Sequence, residues 1–268
     1  MAKKKDPSIT FLNKFGYNVV KLPRVGIEPM DLIGKDETTQ WLGRLSSVWK
    51  SSVPEPLPSP PHTAASVNGQ KSDELDLSFG IKILANALAA FGATMPSLDV
   101  AYNRARKVQF AYTNVTSTVV APLDAGNYLA SGTLNTNNPV VQHYFENEDC
   151  QAFLILDVLK SDSITVTATD SSGVQVGVDI PAIQATVGAN VTVKSNNASN
   201  SSITYTGSSP VTFAFMVDEI QFDGAKWSLS GAAPSGGLAF AVPAAGGTGA
   251  PAPAAPILLG TGCRVNLR

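Results

Sequence analysis

Histidine and cysteine are rare in this chain, and their positions limit the catalysis that it can support. The 268 residues include two histidines, His62 and His143, and two cysteines, Cys150 and Cys263. A Ser-His-Asp or Cys-His arrangement would need one of these histidines as its base. His62 follows a proline-rich stretch, and His143 stands in a polar stretch beside Tyr144. Neither position is typical of a catalytic base, so we predict no catalytic residue and no enzyme.

Other residues that could bind a metal or a phosphate lack the spacing that such sites need. Glu146, Glu148 and Asp149 form a short acidic cluster without the glycine turn of a calcium loop. The two cysteines lie far apart and form no metal or redox motif. The glycines in residues 246–249 do not have the spacing of a phosphate-binding loop. The sequence therefore predicts neither a metal site nor a cofactor.

Charge narrows the class of partner. The formal net charge is −2 and charged residues make up 15% of the chain, so no nucleic-acid partner is indicated. Residues 1–107 carry an excess of Lys and Arg, whereas residues 108–268 carry an excess of Asp and Glu. A basic surface that meets anionic lipid is one interpretation, and charges scattered over solvated faces are the other. No apolar run follows the basic start of the chain, so we expect no secretory signal.

Hydrophobic periodicity predicts two helices between residues 41 and 91. Trp41, Leu45, Val48 and Trp49 recur at helical spacing, and the two tryptophans suit either core packing or a membrane interface. Residues 77–91 have a second helical stripe. The prolines of 54–61 separate the two and predict an exposed, irregular loop.

Strand patterns dominate elsewhere, and the expected fold class is α+β. Residues 17–22 alternate as in a half-buried strand, and the period changes to two beyond Lys107. The apolar run 152–159 is typical of a central strand that is buried on both faces. We expect a twisted, mostly antiparallel β-sheet core flanked by short helices, with a flexible C-terminal tail.

The clearest local alternation predicts a β-hairpin over residues 164–178. A polar turn at 170–173 separates two arms in which apolar residues alternate with polar ones. One face of the hairpin is apolar and the other carries mainly hydroxyl groups, which suits a barrel wall between lipid and water. The apolar positions are Ile164, Val166, Ala168, Val174, Val176 and Val178.

The C-terminal region divides into a linker and a small apolar peptide. Residues 227–263 contain no charged side chain and are rich in Gly, Ala, Pro and Ser, which is typical of a flexible tether. We therefore divide the chain into a body (1–240), a linker (241–256) and a terminal peptide (257–268). The apolar residues of the peptide are expected to dock on the body, and they are Ile257, Leu258, Leu259, Val265 and Leu267.

Three stretches of this sequence resemble bacterial gasdermins. They are DPSITFLNKFGYNVVKLPRVGIEPMDLIG at 6–34, SLDVAYNRARKVQFAYTNV at 97–115 and ITYTGSSPVTFAFMVDEIQFDG at 203–224. The resemblance implies a pore-forming domain that is held inactive by its own C-terminal peptide. A protease encoded nearby, caspase-like or of another kind, would cut off the peptide. The freed body would self-oligomerise, and two hairpin regions would form membrane strands that kill the cell in response to phage.

The resemblance also implies a location for each state of the protein. It would be cytoplasmic while inactive and would contact the lipids of the inner membrane after cleavage. Many members carry a lipid-modified cysteine near the N-terminus, whereas this chain has Ala2 followed by three lysines. Residues 38–78 are our candidate for the second membrane hairpin. A non-enzymatic, β-rich structural or adhesive module is the alternative function.

The composition of the linker restricts the activating protease. Residues 238–256 contain no Lys, Arg, Asp or Glu, and a cut needs flexible, exposed backbone. We therefore expect a protease that accepts a small or aliphatic residue before the bond. Leu238, Val242 and Thr248 are the candidate positions.

Overall fold

The computed structural model describes residues 17–230 apart from 73, 94–97, 148 and 224, with residues 19–24 described by their backbone alone. The α-helices in this part of the chain are α1 (Leu77–Ala90), α2 (Pro122–Ala130), α3 (Pro139–Phe145) and α4 (Ile180–Val187), and a 3-10 helix spans Leu45–Ser47. The strands are β1 (Asn18–Arg24), β2 (Asp31–Lys35), β3 (Thr39–Arg44), β4 (Trp49–Ser51), β5 (His62–Thr63), β6 (Leu75–Asp76), β7 (Lys107–Thr113), β8 (Thr116–Val119), β9 (Gly132–Leu134), β10 (Gln151–Thr169), β11 (Val191–Ser195), β12 (Ser202–Phe222) and β13 (Trp227–Leu229).

Two long strands form the centre of the fold. β10 has 19 residues and β12 has 21, and they pair antiparallel from Phe153 opposite Glu219 to Thr167 opposite Ser202. Three shifts of register interrupt this ladder, and such bulges increase the local twist. Their β-branched and aromatic side chains suit a pleated, largely buried strand.

The other strands line the outer sides of this pair. β2 pairs with the first residues of β10, and β8 and β7 pair with its later residues. β11, β1 and β13 pair with successive parts of β12. All pairings among the described strands are antiparallel, so the expected α+β architecture with a mostly antiparallel sheet is confirmed.

Helices α1 and α4 cover one end of the sheet. Leu84 and Leu88 of α1 and Ile183 of α4 are fully buried in one apolar cluster with residues of β7, β10 and β12. Helix α2 belongs to a second cluster, in which Leu129 packs with Trp49. The predicted helix over 77–91 and the buried strand over 152–159 are both present, as α1 and within β10.

The predicted helix around Trp41–Trp49 is wrong. β3, the short 3-10 helix and β4 occupy this region, because β3 pairs with β2 and β4 pairs with β9. Gly43 has a φ of +105°, which lies outside helical geometry and interrupts any helix here. Trp49 is buried whereas Trp41 is 43% exposed, so the two indoles do not share one apolar helix face.

The predicted hairpin over 164–178 is also wrong as a pair of strands. Residues 164–169 belong to β10, but the second arm joins the sheet only through a single bridge from Gln175 to Thr169. As far as Thr167 both edges of β10 are already paired, one with β7 and the other with β12, so a further arm has no free edge there. The chain then enters α4, whose first turn is capped by the carboxylate of Asp179.

Several predicted positions lie outside the described residues. These are the cleavage candidates Leu238, Val242 and Thr248 and the peptide residues Ile257, Leu258, Leu259, Val265 and Leu267. The domain boundaries at 240 and 256 also fall there, so they remain predictions.

Candidate functional site

Four paired strand segments form a region with two chemically different faces, which we call the two-faced sheet. It comprises β7, residues 163–169 of β10, residues 202–207 of β12 and β11. The ladders align Phe110 with Val166 and Val166 with Ile203, so the strands share one inward direction. Because side chains alternate along a strand, each strand contributes to both faces.

The inward face is apolar. Ile164, Ala168, Ile203 and Tyr205 are each completely buried, and they contact α1 and α4 in one cluster. The remaining apolar residues of this face are Val108, Phe110, Tyr112, Val166, Val191 and Val193. With the two helices in place, this face is shielded from water.

The opposite face carries hydroxyl groups. The oxygens of Thr165 and Thr204 lie 2.7 Å apart across the β10–β12 ladder, and those of Ser163 and Thr206 lie 3.2 Å apart. Their neighbours on β7 and β11 include Gln109, Thr113 and Thr192. This face therefore supplies hydrogen-bonding groups along its whole width, and the sheet is amphipathic.

Two glycines set how closely α1 approaches the sheet. A Cβ on Gly80 would lie 2.1 Å from Cγ2 of Val108, so the start of the helix contacts β7 without an intervening side chain. At the other end of the helix, a Cβ on Gly207 of β12 would lie 2.7 Å from Cβ of Phe91. Helix α1 thus crosses the apolar face from β7 to the outer side of β12.

A buried tyrosine pair holds the segment that follows α1. The hydroxyl oxygens of Tyr102 and Tyr205 lie 2.7 Å apart, and both rings are buried in the apolar cluster. Burial raises the pKa of both phenols, so the pair stays neutral. This contact satisfies two polar groups in the core and fixes residue 102 above β12.

Comparison with known proteins identifies the family. The model of the Bacterial Gasdermin Family matches residues 20–231, which is most of the chain. The chain belongs to the bacterial gasdermin family. Gasdermin bGSDM of Vitiosangium sp. (strain GDMCC 1.1324) is 38% identical over 248 residues, covering 90% of this chain and 91% of that protein. Gasdermin bGSDM of Lysobacter enzymogenes is 31% identical over 241 residues, covering 87% of each chain.

A solved structure agrees with this gasdermin in fold. The bacterial gasdermin from Bradyrhizobium tropiciagri matches with a TM-score of 0.62 at 19% sequence identity, over 85% of this chain and 92% of that chain. The family resemblance stated from the sequence is therefore confirmed. Membership supports a pore-forming protein and favours it over a β-rich structural or adhesive module. In the described part of the chain, each helix is too short or too polar to cross a bilayer.

The histidine and cysteine considered first for catalysis do meet in this gasdermin. Nε2 of His143 lies 3.2 Å from Oδ2 of Asp36 and 3.8 Å from Sγ of Cys150. Both contacts fall on the same ring nitrogen, so the ring is not placed to relay a proton between the two groups. Burial raises the pKa of the Cys150 thiol, which keeps it protonated. The cluster instead joins the β2–β3 turn to α3, where Tyr144 also donates to Asp36.

A buried carboxylate anchors the middle of β10 in this gasdermin. Asp157 accepts a 2.6 Å hydrogen bond from the hydroxyl of Tyr17 and a 2.7 Å bond from that of Ser117. It is 8% exposed, and burial raises the pKa of this carboxyl although both hydrogen bonds oppose the shift. Asp157 therefore ties the start of β1 and strand β8 to the central strand.

The structure brings together only part of the predicted membrane hairpin. Ile164, Val166, Ala168 and Val178 are buried in the cluster under α1 and α4, and Val176 packs against it. Val174 lies just beyond the turn and is 60% exposed. Gly80, Gly207 and Asp157 were not identified from the sequence. A glycine inside the apolar helix pattern of α1 was the available signal for a close contact.

Proposed function

We propose that this chain is an autoinhibited pore-forming protein. The terminal peptide (257–268) keeps the body (1–240) inactive in the cytoplasm. A protease encoded nearby, caspase-like or of another kind, cuts the linker (241–256). The freed body then binds the lipids of the inner membrane, self-oligomerises and forms large β-barrel pores that cause cell death in antiphage defence.

The two-faced sheet is the observation that carries this proposal. A membrane barrel needs strands whose side chains alternate between lipid and water. The apolar face with Ile164 and Ile203 suits lipid, and the hydroxyl face with Thr165 and Thr204 suits a water-filled lumen. Such a sheet becomes a barrel wall if lipid replaces the helices that now cover it.

The lengths of the strands fit the same function. β10 and β12 have 19 and 21 residues, whereas a tilted strand needs ~9–11 residues to span a bilayer. β7 and β8 follow one another along the same side of β10, with Asn114 at the junction in a left-handed conformation (φ 55°). Straightening this junction would give a third strand of spanning length over residues 107–119.

Pore formation requires α1 and α4 to leave the apolar face. The contact of Gly80 with Val108 and the packing of Ile183 hold these helices in place. Each large apolar side chain that they bury contributes roughly 1.5–3 kcal/mol to the closed state. A bilayer also removes apolar surface from water, so insertion of the sheet regains this free energy. Exposure of the same face to water does not.

Leakage from vesicles tests the proposal directly. The full chain is made with the recognition sequence of a site-specific protease inserted in the linker and is added to vesicles of phosphatidylethanolamine and phosphatidylglycerol. We expect release of an encapsulated dye only after the protease cuts the chain. If neither the intact nor the cut protein releases dye, the pore-forming function is wrong.

Val174 allows the membrane role of this region to be tested without damage to the core. Its side chain is 60% exposed, so Val174→Asp leaves the uncut protein folded. If β10 extends through Val174 into the bilayer, the charge costs about 1–4 kcal/mol per subunit and abolishes leakage. The matched control Val174→Leu retains leakage. Equal leakage by the two cut variants would place Val174 outside the bilayer.

A further inference from the structure

A proline-rich segment, residues 53–61, runs alongside α2. Residues 54–61 belong to no helix or strand of the structure, and five of them, at 54, 56, 58, 60 and 61, are prolines. Each proline fixes its own φ and restricts the residue before it to extended backbone. Because every position from 53 to 61 is a proline or precedes one, the sequence favours a polyproline II conformation along the whole segment.

Backbone hydrogen bonds fix both ends of this segment to the body. Upstream, the amide of Ser52 donates to the carbonyl of Ser131 at 3.2 Å, just beyond the end of α2. Downstream, the amide of Ser59 donates to the carbonyl of Val119 at 2.7 Å, and the amide of Val119 donates to the Ser59 hydroxyl oxygen at 3.1 Å. The segment is therefore held in one place as a preformed ridge.

Exposure along the segment has a period of three. Pro54, Leu57 and Pro60 are exposed, whereas the residues between them are half-buried. A polyproline II helix has three residues per turn and rises ~3.1 Å per residue, so these three side chains share one face over ~19 Å. We call this face the proline stripe. The one charged residue of the segment, Glu55, lies 3.0 Å from Nε of Arg44, so the stripe itself is apolar.

An exposed polyproline II face fits a particular kind of partner. Aromatic-lined grooves bind such segments because the ligand is already ordered and loses little entropy on binding. Leu57 stands at the centre of the stripe and is 90% exposed, more than any other large apolar side chain in the described part of the chain. The stripe therefore offers two prolines and a leucine to a protein groove.

The stripe lies near the point at which the chain enters the linker. β4 leads into the proline-rich segment, and its Trp49 packs edge-to-face on Trp227 of β13 with ring centroids 5.8 Å apart. Leu238, the first candidate residue before the cut, comes eight residues after Ser230. Eight residues of chain span at most about 29 Å. A protein bound at the stripe can therefore reach the linker.

The linker gives a protease few side chains to recognise. Residues 238–256 are mostly Gly, Ala and Pro and contain no charged side chain. A pocket that fits a small apolar side chain discriminates weakly, because one methylene changes the preference by only about 10–200-fold. Selective cleavage of this chain therefore needs a second contact, which also raises the local concentration of the linker at the protease.

We propose that the proline stripe is an exosite for the activating protease. An aromatic-lined groove on the protease binds Pro54, Leu57 and Pro60 and so presents the linker to the active site. This inference rests on the proposed function, because it specifies how the protease selects this chain. Selectivity then lies in the folded body, and the linker determines only which bond is cut.

A charge on the stripe tests the inference in the full chain. Leu57→Asp leaves the fold intact, because the side chain is 90% exposed. We expect the purified neighbouring protease to show a kcat/KM about 10–100-fold lower for this variant, since the groove loses an apolar contact. Val100→Asp is the matched control: Val100 is 63% exposed after α1, and this variant is cut at the wild-type rate. Equal cleavage of Leu57→Asp and the wild type would overturn the inference.

A competitor separates the exosite from the active site of the protease. The probe is a synthetic peptide of residues 52–62, which keeps its polyproline II preference outside the fold. We expect it to slow cleavage of the full chain but not hydrolysis of a peptide of residues 231–262. The same probe with Leu57→Asp slows neither reaction. Inhibition of both reactions would place the probe in the active site and overturn the inference.

Leakage distinguishes this role from a membrane contact. Leu57→Asp is introduced into the protein with the inserted recognition sequence, and the site-specific protease cuts it without the stripe. We expect wild-type dye release, whereas loss of release would make the stripe a membrane contact and overturn the inference. If the neighbouring protease leaves even the wild-type chain uncut, the proposed activation has failed and this inference falls with it.

Discussion

At the scale of single residues, Asp157 shows how one buried polar group connects distant parts of the chain. Its carboxylate accepts hydrogen bonds from Tyr17 and Ser117, which lie on different elements. Such bonds satisfy the carboxylate but do not restore all of the hydration that burial removes. The pKa of Asp157 is therefore raised above its ordinary value of 3.8.

This raised pKa predicts a dependence of stability on pH. The folded state holds the proton of Asp157 more tightly than the unfolded state does, so this contribution is fully present below pH 3.8 and is lost as the pH rises through the raised pKa. In Asp157→Asn this decrease in the unfolding free energy with rising pH is absent. The decrease amounts to about 1.4 kcal/mol for each tenfold difference in proton affinity between the folded and unfolded states. Urea unfolding at a series of pH values measures it.

Asp99→Asn is the control, because Asp99 is exposed in the segment after α1. It makes the same chemical change at an exposed position and measures the effect of the substitution itself. If Asp157→Asn also follows the wild-type curve, the buried carboxyl does not titrate in this range.

At the scale of elements, the contact between α1 and the two-faced sheet depends on the absence of a side chain at Gly80. Alanine normally stabilises a helix relative to glycine, but here its Cβ would overlap Cγ2 of Val108. Val108 is β-branched and 1% exposed, so it has little freedom to move aside. Steric overlap therefore outweighs helix propensity at this position.

We expect Gly80→Ala to destabilise the folded state by about 1–3 kcal/mol, as overpacking usually does. The same substitution at Gly126 of α2 meets no atom within 4 Å and should stabilise by about 0.5–1 kcal/mol. Opposite signs for the same chemical change would identify the contact as the cause. Chemical denaturation of the uncut proteins measures both.

A double-mutant cycle extends this test. Val108→Ala removes the methyl group that Gly80→Ala would strike, so the two changes together should cost less than the sum of the single changes. If the two changes in unfolding free energy add strictly, the contact of Gly80 with Val108 does not set the position of α1.

At the scale of the whole molecule, autoinhibition is predicted to depend on the apolar residues of the terminal peptide. Burial of Leu258 and Leu259 is worth roughly 1.5–3 kcal/mol each, less the entropy lost when the peptide is ordered. Leu258→Asp with Leu259→Asp should therefore cause leakage from vesicles without cleavage. Thr261→Asp places a charge nearby without removing an apolar group and should remain inactive. A double variant as inactive as the wild type would exclude docking through these two leucines.

The second prediction at this scale concerns the cut itself. Residues 238–256 offer no charged residue, so the natural protease is expected to cut after a small or aliphatic residue such as Leu238, Val242 or Thr248. Intact-mass analysis of the body released by the neighbouring protease determines the site. A body that ends at Lys226 or Arg264 would contradict this prediction.

Local patterns of the sequence were sufficient for α1, for the central strand and for the face of β10 that carries Ile164 and Val166. These patterns arise from backbone geometry, because side chains alternate along a strand and recur every 3.6 residues along a helix. The same patterns misidentified the region from Trp41 to Trp49, where the apolar spacing fits either a helix or short strands.

Tertiary structure alone decided the partner of each strand and the cover of each face. The turn at 170–173 is present, yet its second arm is excluded because β7 and β12 already occupy both edges of β10 as far as Thr167. The contact of Gly80 with Val108 and the bonds of Asp157 join residues that are far apart in the sequence. Periodicity reports which side of an element is buried, whereas the choice of partner depends on the competition among all available edges and faces for the same contacts.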